Sequence, residues 1–195
     1  MTKRTLRPAL ALALALSLAA CGGKASFPIN VNIAGLAYSG LVLTTNGMDL
    51  TVAAGTTSIA FPNSLSYGDV YAVSAKSPPL HQTCSVSAGG DTAGRLAAIN
   101  VYVTCALNQA QIGGTISGLT SDGLQLTNGS GGGVVAPAAG AVDFGFLSNP
   151  VPYGVTYGVT VLAQPANNVC SVANGTAVMG DAAVTNIVVT CVPKP

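Results

Sequence analysis

The sequence predicts an all-β chain of two tandem small Greek-key β-sandwich modules, each with one internal disulfide. Three observations predict it: a near-complete internal duplication, apolar residues alternating with period two between turn-forming residues, and two cysteine pairs of identical spacing. Charged residues make up only 7% of the 195 positions, yet 49% are hydrophobic, so the chain is too apolar for disorder and long enough for two small cores.

Residues 1–20 read as a signal peptide. Lys3, Arg4 and Arg7 form a positive start, and the apolar run from Ala9 to Ala20 spans twelve residues. A membrane-spanning helix needs roughly 20, so the short run ending in small residues fits a cleaved leader better than a retained anchor. Leu18, Ala19, Ala20 and Cys21, followed by Gly22 and Gly23, closely resemble the lipobox of bacterial lipoproteins. The resemblance covers this segment alone. It implies cleavage before Cys21, a diacylglycerol thioether on its sulfur, and a third acyl chain, such as palmitate, on its new amino group. Two or more acyl chains hold a protein on a bilayer, whereas one gives only marginal binding. Gly22, rather than Asp, after the cysteine resembles lipoproteins sorted outward in two-membrane bacteria. The expected location is therefore the cell envelope, anchored to the outer membrane with its periplasmic or surface face open, and residues 21–27 form a lipidated tether.

Residues 28–107 and 108–195 are the two repeats. Ile33, Gly35, Leu36, Gly40, Leu41, Leu43 and Thr44 recur as Ile116, Gly118, Leu119, Gly123, Leu124, Leu126 and Thr127, at an offset of 83. Later positions recur at an offset of 86, among them Tyr67 as Tyr153, Gly68 as Gly154, Tyr71 as Tyr157, Val73 as Val159, Pro79 as Pro165 and Gly94 as Gly180. The three residues added in the second copy are expected near Gly129 to Gly133, in a lengthened flexible loop. Alternation at Leu41 and Leu43, Leu50 and Val52, Ile59 and Phe61, and Tyr71 and Val73 marks strands, and no helical pattern appears. Asn46-Gly47, Tyr67-Gly68-Asp69, Gly89-Gly90-Asp91, Asn128-Gly129 and Asn174-Gly175 supply turn residues that tolerate positive φ. About seven short strands per unit imply a sandwich of immunoglobulin-like or transthyretin-like topology, and local pattern does not choose between them.

The five cysteines divide into Cys21 and two pairs, Cys84 with Cys105 and Cys170 with Cys191, each 21 residues apart. Duplication and an oxidising compartment after export favour one disulfide inside each copy. A module of this size has little core, and closing such a loop contributes roughly 3 kcal/mol in the chain-entropy model. Cysteine-built zinc sites typically hold ligands two to four residues apart, which this spacing does not supply. The paired modules also resemble tandem extracellular β-sandwich repeats of bacterial secreted and surface proteins. The likeness rests on Gly40-Leu41-x-Leu43, Tyr71-x-Val73, Cys84-Ser85-Val86 and Val103-Thr104-Cys105 with their second-copy counterparts, and it implies architecture without catalytic residues.

No catalytic residue, metal site or cofactor is assigned. His81 is the sole histidine, expected in a solvated loop, and its counterpart is Asn167. The acids are Asp49, Asp69, Asp91, Asp122, Asp143 and Asp181, none of which recurs between copies, and they read as solvated turn residues without the spacing of a calcium loop. No Gly-x-Ser-x-Gly elbow or phosphate loop is present. Beyond the leader, four scattered cations face six aspartates, which excludes a basic stripe for nucleic acid. Tyr71 and Tyr157 are expected in the core, and Tyr38 and Tyr102 as candidates for an exposed contact. Two functions fit: a non-enzymatic structural, adhesion or protein-interaction lipoprotein, or an accessory module binding carbohydrate or a small ligand.

Overall fold

The computed structural model describes residues 25–129 and 131–195, and the segment expected to be a signal peptide and Cys21 lie outside them. Every regular element among the described residues is a strand. The first module contains β1 (Ser26–Phe27), β2 (Ile29–Ala34), β3 (Val42–Thr45), β4 (Met48–Thr51), β5 (Ser58–Ala60) and β6 (Leu65–Ser66). It continues with β7 (Val70–Ala72), β8 (Ser74–Ser77), β9 (Gln82–Ser87), β10 (Gly90–Thr92) and β11 (Ile99–Leu107). One sheet has the order β5-β2-β11-β9. The other is β4-β3-β8, extended by the β7-β10 pair. The alternation that marked the strands is what divides core from surface. Along β11, Ile99, Val101, Val103 and Cys105 are buried while Asn100, Tyr102, Thr104 and Ala106 are exposed.

The second module repeats the plan with β12 (Gln109–Ala110), β13 (Ile112–Ser117), β14 (Gln125–Asn128), β15 (Val134–Val135) and β16 (Asp143–Gly145). It ends with β17 (Val151–Pro152), β18 (Thr156–Ala163), β19 (Asn168–Ala173), β20 (Thr176–Val178) and β21 (Val184–Pro193). Its sheets are β16-β13-β21-β19 and β15-β14-β18-β20. Even an irregularity is copied: the register shift between Val42 and Leu43 against β8 returns between Gln125 and Leu126 against β18. Each module has its own core, one drawn from Ile29 to Cys105 and the other from Ala110 to Cys191, with no member in common. Tyr71 and Tyr157 lie in these cores, as their periodicity implied.

The strand order decides the topology that local pattern left open. In the constant-type immunoglobulin sandwich the first strand pairs with the second. Here the first long strand pairs with the last, and does so in parallel, β2 with β11 and β13 with β21. Neither module therefore has the constant-type immunoglobulin order. Parallel first and last strands have a geometric effect: the chain enters each module at one pole and leaves from the other. Ile29 lies beside Ile99 at entry, and β11 runs on past the end of β2 to exit at Leu107.

Both expected disulfides are present. Cys84 faces Cys105 across β9 and β11, and Cys170 faces Cys191 across β19 and β21, each pair with Cα atoms 4.0 Å apart. The bridges clamp neighbouring strands within one sheet. Beside each lies a repeated glycine, and the structure shows why it repeats. Gly35 has φ +76° and an added Cβ would sit 2.2 Å from the Cys105 carbonyl oxygen; Gly118 has φ +73° and the same approach to Cys191 at 2.1 Å. Only glycine allows the chain to turn so close to the cystine strand.

Two local expectations need correction. The three extra residues of the second copy do not sit together. The pairing of Thr44 with Asp49 corresponds to that of Thr127 with Val134, which puts two of them in the β14–β15 loop. The third falls between Gly145 and Val151, a stretch one residue longer than that between Ala60 and Leu65. Within the β14–β15 loop Gly129 N–H donates to Gly158 O, Gly132 N–H to Asn128 O, and the Thr127 hydroxyl to Gly133 O. In the β9–β10 turn, positive φ falls on Ala88 (+53°) and not on the glycines that follow. Gly89 is needed for a different reason, because a Cβ there would meet Val73 O at 2.7 Å.

Candidate functional site

The densest gathering of polar and aromatic side chains lies where the two modules meet. A single residue, Asn108, separates β11 from β12. All four of its hydrogen-bonding functions are engaged, two toward each module. Its N–H donates to His81 O at 2.9 Å, and its Oδ1 accepts from the Thr83 hydroxyl at 3.0 Å. Its carbonyl accepts from Tyr153 N–H at 2.8 Å, and its Nδ2 donates to Asp181 Oδ1 at 3.4 Å.

His81 closes the same junction. It follows Pro78-Pro79-Leu80 at the entry to β9, with φ +58°. Its Nδ1 lies 2.6 Å from Asp181 Oδ2, and since a carboxylate only accepts, Nδ1 carries the proton and donates. Its ring stacks on Tyr153 with centroids 3.8 Å apart and planes within 5°. Tyr38 meets both rings edge-on, at 5.2 Å from His81 and 5.7 Å from Tyr153. The expectation of a solvated histidine is therefore corrected, since the His81 side chain is only 27% exposed. Asp181 is exposed, as expected, and faces His81 across the module boundary.

Tyr38 is placed by a residue that the sequence reading passed over. Gln82 is buried, and its Oε1 accepts from Ala37 and Tyr38 N–H while its Nε2 donates to Gly35 O. Asn168 does the same work in the second copy, accepting from Thr120 and Ser121 and donating to Gly118 O. Both are carboxamides two residues before a cysteine. Comparing copies by residue class rather than identity would have revealed them.

The other titratable groups are dispersed. Lys76 donates to Asp49 across β8 and β4, and that hydrogen bond, with a second from Thr44, holds the Asp49 carboxyl below its usual range. Asp91 is lowered first by the Thr92 N–H and then by Arg95, 3.1 Å away. Asp69 accepts from Ser66 N–H, and Asp122 from Ala139 N–H, each at 2.8 Å. Asp69 and Asp122 thus fasten turns, as expected of turn aspartates, whereas Asp49, Asp91 and Asp143 lie in β4, β10 and β16, which corrects the turn reading for those three. Among the described residues no three His, Cys, Asp or Glu side chains converge. Tyr102 is 51% exposed on the outer face of the first module.

Fold and junction together define the class: a tandem β-sandwich protein of two cystine-clamped modules joined in series through a one-residue polar connection. No family model and no curated protein matches the chain. Among solved structures it is similar to the shaft pilin spaA of Lactobacillus rhamnosus GG (D295N mutant), at 10% identity and a TM-score of 0.29, covering 87% of this chain and 98% of the pilin. It is also similar to the major pilin protein T-13 of Streptococcus pyogenes, at 11% identity and a TM-score of 0.29, covering 88% and 98%. Likeness at that level decides neither function nor partner.

Proposed function

We propose that this chain is a non-enzymatic, lipid-anchored structural protein of the bacterial cell envelope, a two-segment stalk that holds its far end away from the membrane. One observation carries the reading: entry and exit lie at opposite poles of each module, and the connection between modules is one residue whose every polar group is committed. Tandem domains normally move on their linkers. Here Asn108, the His81–Asp181 pair and the Tyr38–His81–Tyr153 stack oppose that motion. With acyl chains on Cys21 the entry pole of the first module faces the bilayer, and the second module stands beyond it.

Scattering from the soluble chain, residues 25–195, tests the stalk. Two modules in series, each about 30 Å along a nine-residue strand, give a longest dimension of roughly 60 Å or more. A single compact body of this length would span about 40 Å. The stalk reading is refuted by the compact value, or by a profile that Asp181→Ala leaves unchanged, since that substitution removes both junction bonds to the carboxylate. Separately, Cys21→Ser is expected to abolish incorporation of a palmitate analogue and release the protein from membranes.

A second reading has one observation in its favour. Tyr102 stands on an uncharged sheet face between Asn32 and Ser87, its partners in register on β2 and β9, which suits a neutral glycan. Silence on a glycan array would dismiss it.

A further inference from the structure

Unpaired strand edges are sites where another chain can add, and proteins guard them by shortness, charge or cover. In the second module Gln164 covers the edge of β19. Its Nε2 donates to Cys170 O and its Oε1 accepts from Cys170 N–H, at 2.9 and 2.7 Å, so a side chain imitates the missing neighbour strand. In the first module the matching position is Pro78, which has no amide to offer. The cystine registers are equivalent, and His81 O already accepts from Asn108 across the same ladder, so Cys84 turns its N–H and C=O away from β11 toward the open side. Burial follows suit: Cys170 is buried, whereas Cys84 is half-buried.

The remaining edges are guarded. Strands β5, β15 and β20 have three residues or fewer; β10 and β16 are as short and carry Asp91 and Asp143; β4 and β8, the two edges of their sheet, carry Asp49 and Lys76, paired with each other. Among the edge strands of the described residues, β9 alone is six residues long, uncharged and unplugged.

We propose that β9, centred on Cys84, is a strand-addition site that takes an extended, uncharged segment of another protein. The segment would alternate inward apolar with outward uncharged residues, the pattern that β11 presents to the other side of β9. The choice of occupant rests on the stalk reading. Two copies pairing antiparallel through β9 about a two-fold axis would point opposite ways, placing each second module where the other's anchor belongs. A strand from a different protein meets no such conflict.

Amide hydrogen exchange in the soluble chain, followed by NMR, tests this. The Cys84 amide is expected to exchange roughly tenfold faster than that of Cys170, and Gln164→Ala to bring Cys170 up toward it. A synthetic peptide copying residues 99–107, with serine in place of Cys105, serves as probe. It is expected to slow Cys84 exchange in the wild type and not in Pro78→Gln, which installs the plug of the second module. A Cys84 amide as slow as Cys170 in the free protein overturns the proposal, as does a peptide without effect at millimolar concentration. Slowing that appears with rising protein concentration alone names a second copy as occupant and overturns it too. Failure of the stalk reading would show in scattering, and leaves the comparison of Cys84 with Cys170 unaffected.

Discussion

Replacing Gly35 by alanine probes the link between duplication and the cystine strand most directly. The substitution imposes two penalties. A residue with a Cβ at φ +76° costs about 1–2 kcal/mol in backbone strain. The new Cβ would also stand 2.2 Å from the Cys105 carbonyl oxygen, a contact relieved only by moving backbone that the disulfide holds, at a further ~1–3 kcal/mol. A loss of about 3 kcal/mol follows, a large share of what a small module has. Gly47 separates the two contributions, because its φ is +73° and nothing lies within 4 Å of an added Cβ. Gly47→Ala should cost only the backbone part, about 1–2 kcal/mol. Gly118→Ala should match Gly35→Ala in the second module. Urea unfolding followed by tyrosine fluorescence gives the free energies. A Gly35→Ala loss within about 0.5 kcal/mol of the Gly47→Ala loss would refute the steric account, since two such substitutions differ only in what the Cβ meets.

Three further outcomes are expected. Converting Cys84 and Cys105 to serine should lower first-module stability by roughly 3 kcal/mol in denaturant titrations, with the second module's transition unchanged. Burial, helped by the charge of Asp91, raises the Tyr71 phenol above its ordinary value. A raised folded-state value means stability is intact below the unfolded titration and falls as pH climbs through roughly 10 and beyond, so Tyr71→Phe should flatten that alkaline decline in urea midpoints. Ala88 holds φ +53° where the second copy has Asn174 at +57°, so Ala88→Asn should raise the melting temperature, by an amount corresponding to about 0.5–1 kcal/mol.

What the sequence revealed and what it hid follow from one distinction. Features made twice are legible because each copy corroborates the other: the pairing of Cys84 with Cys105, the inward Tyr71, and the strand–turn rhythm all appear at a fixed offset. Features made once are invisible to that comparison. His81 and Asp181 lie 100 positions apart and neither recurs, because the chain has only one junction for them to close. Topology was hidden for another reason. Alternation shows that β2 has a buried face, but whether it lies beside β3 or β11 depends on long-range pairing, which period-two pattern does not encode. Positive φ at Ala88 escaped because turn composition points to glycine, while the glycine beside it answers to a close approach of Val73.

The parallel pairing of first and last strands bears on how such a chain responds to being pulled. Tension applied at the two ends of a module draws β2 and β11 past one another along their length, so the rungs from Ile29–Ile99 to Ala34–Thr104 carry the load together and do not open one after another. The cystine then ties the loaded strand covalently to β9, so slippage at that ladder would have to drag a third strand with it. A stalk of the kind proposed above would be well served by resisting shear along this axis.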